Sequence, residues 1–158
     1  MYFTGGCNMS VCTFIAADYP LDEVRPPKDY PLEINIDKGT VYDGGADDNF
    51  SLLKFIEVFD YTDKKHGVSL EWAYYTEGRA RRILEYISDA LRHTEAVEVW
   101  HVWLDGCYYE SDERPVLKKK TLRMDEARPE DIRDIDSAVI WEKPDSIRPI
   151  FHCLEIIK

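Results

Sequence analysis

The sequence lacks the patterns that mark a membrane protein, an exported protein or an enzyme of a common class. No apolar run approaches the roughly 18 residues of a membrane-spanning helix, and the N-terminus has neither the basic nor the apolar region of a signal peptide. Gly-rich phosphate loops, HExxH, GxSxG and CxxC pairs are also missing. We therefore expect a soluble, cytoplasmic protein with no membrane partner and no cofactor, and no motif specifies a reaction.

Cysteine and positive charge are both scarce. The four cysteines lie far apart in the sequence: Cys7, Cys12, Cys107 and Cys153. We interpret them as reduced thiols, because 158 residues can bury a core without disulfides and no spacing favours a metal site with His101 and His152. Lys and Arg total 20 against 31 Asp and Glu, giving a net charge of −11. This charge repels nucleic acid and favours a basic protein partner.

The stretch 76–92 has the clearest periodicity in the chain. Its apolar residues recur at intervals of three and four and so share one face of an amphipathic helix: Ala80, Ile83, Leu84, Ile87 and Leu91. Thr76 is suited to cap this helix. Arg79, Arg81 and Arg82 would then lie near its positive end, which the helix dipole disfavours. We expect acidic groups to compensate there, with anion or substrate binding as the alternative role of the arginines.

Most other apolar runs are short and typical of strands. Their spacing and composition predict strands at 11–17, 32–37, 40–42, 50–61, 68–75, 96–104, 115–124, 137–141 and 150–157. The alternation at 32–37 predicts a half-buried strand, whereas 96–104 is apolar on both faces and should be covered on both sides. The lysines at 118–120 are typical of a sheet edge.

A short helix is predicted at 128–135, with Pro129 in its first turn and Ile132 and Ile135 facing inward. Together the elements predict an α+β fold: a mainly antiparallel sheet of about six to eight strands, one main helix at 76–92 and one short helix. No linker divides the chain, so 9–158 is predicted to form a single globular domain.

The first eight residues are interpreted as a leader that is not native. Gly5-Gly6 can be encoded by a purine-rich ribosome-binding sequence, and Cys7-Asn8 then separates that sequence from Met9. We therefore expect translation of a bacterial gene to begin at Met9, with 1–8 outside the native protein.

Two acidic segments form the candidate binding surface. The glycine-rich loop 43–48 misses the spacing of an EF-hand, so we interpret it as a solvated turn in preference to a cation site. The segment 108–113 combines tyrosines with acids. Exposed tyrosines can anchor an interface, and ordinary hairpin residues are the alternative interpretation. The candidate binding residues are Asp43, Asp47, Asp48, Tyr108, Tyr109, Glu110, Asp112 and Glu113.

These features favour a small bacterial protein-binding module with an acidic recognition surface, such as an immunity-type inhibitor of a basic toxin. The alternative is an enzyme or small-ligand-binding protein with a cleft near His101, to which His152, Arg79 or Arg82 could contribute. A lone histidine on an apolar strand is more often a hydrogen-bonded core residue, and no nucleophile with an orienting carboxylate can be identified beside it. We therefore assign no catalytic residue and no metal ligand.

Overall fold

A computed structural model of the chain describes residues 11–104, 116–137 and 150–158. The proposed leader at 1–8, the tyrosine segment at 108–113, the predicted strand beyond Ser137, and Cys7 and Cys107 lie outside the described residues. The strands in chain order are β1 (Val11–Ala17), β2 (Glu33–Asn35), β3 (Thr40–Tyr42), β4 (Ser51–Lys54), β5 (His66–Glu71), β6 (Ala96–Trp103), β7 (Val116–Arg123) and β8 (Ile150–Ile157). The helices are α1 (Glu77–Ala90) and α2 (Pro129–Ser137).

Six strands of the described chain form the main sheet, in the order β4-β5-β1-β6-β8-β7. Every neighbouring pair is antiparallel except β7 and β8, which run parallel. The predicted α+β class with a mainly antiparallel sheet is confirmed, and the lysine-rich β7 lies at an edge as its composition indicates. Neither α1 nor α2, the helices of the described ranges, is long and apolar enough to cross a membrane.

Helix α1 covers one face of the sheet with the apolar stripe that its periodicity predicts. The five residues of the stripe are all buried, and each large aliphatic one contributes roughly 1.5–3 kcal/mol on burial. Thr76 caps the helix, because its hydroxyl oxygen accepts a hydrogen bond from the Arg79 amide at 3.1 Å. Helix α2 packs beside α1 and buries Ile132 and Ile135 in the same core, as predicted.

The other face of the sheet carries a smaller, aromatic core. The ring of Phe14 lies 4.7 Å from that of Phe55 and 6.0 Å from that of Trp100, measured between centroids. A 3-10 helix at Ile56–Asp60 contributes the buried Val58 to this core. The predicted strand at 50–61 is therefore wrong in its second half: Phe55 and Val58 are three residues apart, the period of a 3-10 helix, and both turn onto the aromatic core. Strand β6 is covered on both sides, as predicted.

Strands β2 and β3 form a two-stranded hairpin separate from the main sheet. The alternating pattern at 32–37 does produce a strand, but the prediction that it is half-buried is wrong. The apolar residues in and beside the hairpin strands are 62–89% exposed: Leu32, Ile34, Ile36 and Val41. Alternation determines which side chains share a face, whereas coverage of that face depends on a second surface that the described chain does not supply.

Candidate functional site

The predicted acidic loop packs against the first turn of α1, where it forms a buried ion pair. The side chain of Arg79 is fully buried, and its guanidinium donates hydrogen bonds to Asp43 Oδ1 at 3.2 Å, to the Ala46 carbonyl at 3.1 Å and to the Tyr74 carbonyl at 2.9 Å. The guanidinium carbon also lies 4.6 Å from the centre of the Tyr74 ring. The charge of Arg79 is therefore satisfied within the chain, which excludes it from an open anion site.

Asp43 is held as a carboxylate by this pairing. Burial on its own would raise the pKa of Asp43, but hydrogen bonds from Arg79, the Tyr74 hydroxyl and the Gly45 amide outweigh burial and hold that pKa below its ordinary value of 3.8. Asp43 is only 8% exposed, so the interpretation of the loop as a solvated turn is wrong for this residue. The physical reason is that a buried guanidinium requires a carboxylate partner.

Asp47 and Asp48 stay nearer the surface and accept hydrogen bonds from hydroxyl groups. The Thr76 hydroxyl donates to Asp47 Oδ1 at 3.2 Å, which places this carboxylate at the positive end of α1. Glu77 lies in the same first turn, so the acidic compensation predicted there is present. The Tyr30 hydroxyl donates to Asp48, which lowers the pKa of Asp48 and raises that of Tyr30.

The exposed hairpin is joined to this loop at both of its ends. Tyr30, just before β2, bonds to Asp48, while β3 runs directly into Asp43. The Tyr42 hydroxyl donates to the Gly44 carbonyl at 3.1 Å. Gly44 has φ +89°, and a Cβ atom there would lie 2.7 Å from the Cβ of Tyr30, so both the turn and the close approach require glycine. The hairpin and the acidic loop therefore adjoin each other.

The second predicted acidic segment lies outside the described residues, and it comprises Tyr108, Tyr109, Glu110, Asp112 and Glu113. The strand that leads to it, β6, ends at Trp103, which pairs with Val11 at the start of β1. Strands β4 and β5 reach the same end of the sheet, where Ser51 pairs with Glu71. The loop 43–48 precedes β4 by two residues, so both acidic segments connect to this end. Their strands are three positions apart in the sheet, or roughly 14 Å at about 4.8 Å per strand.

The alternative site at His101 is a buried chain of polar groups. His101 Nδ1 lies 3.2 Å from the hydroxyl oxygen of Thr13, and that hydroxyl donates to Asp136 at 2.8 Å. Trp72 Nε1 donates to the second Asp136 oxygen at 3.0 Å. Because the Thr13 proton is directed at Asp136, His101 Nδ1 is the donor to Thr13 and its Nε2 carries the lone pair. His101 is thus a hydrogen-bonded core residue, the role that its sequence context favours.

His152 lies beside His101, with 6.1 Å between the ring centroids. Burial lowers the pKa of His101. Burial, the neighbouring His101 and Lys118 together lower the pKa of His152 to about 4. Both rings are therefore neutral at pH 7. Within the described ranges, no group of three or more His, Cys, Asp or Glu side chains is placed so that it could hold a metal ion.

Two surface cavities lie along α1, and neither is lined by His101 or His152. One, of about 370 Å³, is bordered by Arg25, Arg82 and Tyr86 together with Asp48. The other, of about 390 Å³, lies between α1 and the segment around Met124. Neither of these two cavities therefore gathers the histidines and Arg82 in one cleft, the arrangement that would favour the enzyme hypothesis.

No sequence signal points to Thr13 and Asp136 as partners of His101, because they are separated from each other by 123 residues and meet only after β1 and α2 pack together. The sequence predicts acidic groups near Arg79, but the burial of Arg79 and its pairing with Asp43 depend equally on a distant loop. Comparison with models of known protein families, with curated protein sequences and with solved structures finds no match to this chain. Its function is therefore inferred from side-chain geometry.

Proposed function

We propose that the protein is a small bacterial protein-binding module that recognises a basic partner protein through an acidic surface. The observation that carries this proposal is the fixed position of two charged carboxylates, Asp47 and Asp48, at the surface of a chain with net charge −11. Their hydroxyl donors are neutral and leave further lone pairs on each carboxylate for a lysine or arginine. Asp43 differs, because Arg79 already neutralises it.

A carboxylate that is already held in place loses less conformational entropy when a partner binds it, so binding is more favourable. Lys28 and Arg82 act on Asp48 and offset part of its field, so the larger contribution is assigned to the exposed Asp47. Segment 108–113 continues from the same end of the sheet and is proposed to add acids and tyrosine anchors. An immunity-type inhibitor of a basic toxin, acting in the bacterial cytoplasm, is the form of this function that we favour. Nucleic acid is not a proposed partner.

The test begins with affinity capture from the native organism's lysate at low and moderate salt, followed by mass spectrometry. Association with the captured protein is then measured for the wild type and for the double variant Asp47→Asn, Asp48→Asn. We expect roughly three- to tenfold slower association and a weaker dependence on salt, because surface charge acts mainly on the on-rate. Asp43 is left intact because its loss would destabilise the fold by leaving Arg79 without its carboxylate partner.

The matched control is the double variant Glu95→Gln, Asp125→Asn, which makes the same change in net charge. Both residues are exposed and lie at the opposite end of the sheet, beside the start of β6 and the end of β7. If association were independent of salt and equal in both double variants, the proposed acidic surface would be wrong.

A small-ligand site at His101 is the second candidate, favoured by the Asp136–Thr13–His101 chain, which fixes one tautomer of the imidazole. A library of small metabolites can be screened by following the ring resonances of His101 and His152 by NMR. A metabolite that shifts the ring resonances of both histidines but not the backbone resonance of Asp47 would favour a ligand site at this cluster over the acidic surface.

A further inference from the structure

The β2–β3 hairpin presents an apolar face to solvent. Ile34 and Val41 are directly paired and are 64% and 62% exposed. Leu32 and Ile36 lie directly before and after β2, two residues either side of Ile34, and they are 62% and 89% exposed. The opposite face carries Glu33 and its polar neighbours, so the hairpin has the two-sided composition of a strand pair that buries one side.

The hairpin keeps its shape without burying this face. The Lys38 amide donates to Asn35 Oδ1 at 3.0 Å in the turn, and Gly39 adopts φ +62°, a conformation that favours glycine. At its base, Tyr30 bonds to Asp48 and Tyr42 bonds to the backbone of the acidic loop. Two-stranded hairpins are marginally stable in water unless a hydrophobic face is packed. Hydrogen bonds at the turn and the base therefore hold the hairpin while its apolar face stays exposed. Another surface can pack on that face.

We infer that a basic partner protein packs on this apolar face, an inference that rests on the function proposed above. Contacts with the face would determine how slowly the complex dissociates. The largest contiguous apolar patch on the surface of a protein is often an interaction site. Binding would bury it, and buried apolar contacts act mainly on dissociation.

The partner chemistry follows from area and charge. A stable interface buries roughly 800 Å² per partner, more than the four aliphatic side chains supply, so neighbouring groups must contribute. Asp37 and Lys38 both lie at the turn, so the acidic excess beside the patch comes from Asp47 and Asp48 on the adjoining loop. Lys28 and Arg82 offset part of the charge of Asp48, and the chain as a whole carries a net charge of −11. A second copy of the chain would bring like charges together around the patch. A partner protein whose own apolar patch is surrounded by lysine or arginine would match both the apolar face and the acidic groups beside it.

The first experiment uses a defined probe, an 11-residue peptide that alternates lysine and valine, with the intact protein. Methyl resonances of Ile34, Ile36 and Val41 are expected to shift on binding. Two comparison peptides separate the contributions: one alternates glutamate and valine, and the other alternates lysine and serine. Both are expected to bind at least tenfold more weakly, since each lacks one of the two features.

The second experiment removes the patch with Ile34→Thr and Ile36→Thr, which keep the β-branched shape that suits a strand. We expect at least tenfold weaker binding of the lysine–valine peptide, with an unchanged thermal midpoint. Ile56→Thr is the matched control, because Ile56 is 69% exposed and lies in the 3-10 helix away from the hairpin. The same variants are then compared in their dissociation from the captured partner.

The outcomes separate the two proposals. If the lysine–valine peptide and the captured partner bind the threonine double variant as well as the wild type, the hairpin inference is overturned while the acidic surface stands. If the glutamate–valine peptide binds the hairpin as tightly as the lysine–valine peptide, the inference of a basic partner is overturned and the face is an apolar site without charge preference. Dimers that disappear in the threonine double variant would identify a second copy as the occupant and also overturn the inference. Nuclear Overhauser effects between the methyl groups of Ile34 or Val41 and a distant segment of the isolated protein would overturn it by showing that the face is already covered.

Discussion

Replacing Asp43 with asparagine is expected to destabilise the protein more than any other single carboxylate change in the acidic loop. The change removes the only negative charge in contact with the fully buried guanidinium of Arg79 among the described contacts. Breaking a buried ion pair by removing one partner costs about 3–5 kcal/mol. Arg79 would retain its bonds to the Ala46 and Tyr74 carbonyls, so we place the loss near the lower end, at about 3 kcal/mol. That is a large part of the roughly 5–15 kcal/mol typical of a domain.

Urea denaturation of the wild type and the variant measures this loss as a shift in midpoint at constant slope. Asp47→Asn and Arg81→Gln are the controls, because they alter an exposed carboxylate and an exposed pair with Glu77, and each should cost less than about 1 kcal/mol. Adding Arg79→Met to Asp43→Asn should recover part of the loss, since no uncompensated charge then remains buried. Equal midpoints for the Asp43 and Asp47 variants would refute the claim that Arg79 depends on Asp43.

The same pair gives a pH dependence with a definite sign. The pKa of Asp43 in the folded protein is held below 3.8, its ordinary value, so the folded state favours the ionised form. The resulting stability is fully present above that ordinary value and is lost as the pH falls through the lower folded pKa. The wild type should therefore lose its advantage over Asp43→Asn below about pH 4. A constant difference between the two proteins from pH 7 to pH 2.5 would contradict this.

Three further predictions concern the core. Leu84→Ala should cost about 2–5 kcal/mol and Ser88→Ala on the exposed face little, and equal urea midpoints would show that the helix register is wrong. Burial raises the pKa values of Cys12 and Cys153, so both thiols should resist alkylation until the protein unfolds. Adding reductant should leave the thermal midpoint unchanged. An intramolecular disulfide detected by mass spectrometry of the unreduced protein would contradict this. Because the pKa of His152 is lowered from 6.5 to about 4, the stability of the wild type should fall as the pH drops through this range. In His152→Asn the urea midpoint should depend less steeply on pH. An equally steep dependence in the variant would argue against a buried neutral ring.

The sequence by itself determined the elements whose signals are local. Strands β1 and β8 have their predicted bounds, and α1 begins after the predicted cap, Thr76. Each of these depends on side chains two, three or four positions apart, whose common face is a property of the backbone period. The same reasoning found the edge position of β7 from its lysines. It failed at 55–60, where a strand and a 3-10 helix compete for the same short apolar run.

Only the tertiary structure decided what each face meets. Arg79 lies four residues before Ile83 and so shares the apolar face of α1, unlike the exposed Arg81. Its carboxylate partner Asp43 is 36 residues away and could not be inferred from that spacing. Likewise, alternation assigned Ile34 to an apolar face but could not reveal that the face would remain uncovered. The parallel pairing of β7 with β8 was equally beyond the sequence. Periodicity specifies which side chains point in one direction, whereas burial and ion pairing depend on distant segments that are brought together only when the whole chain packs.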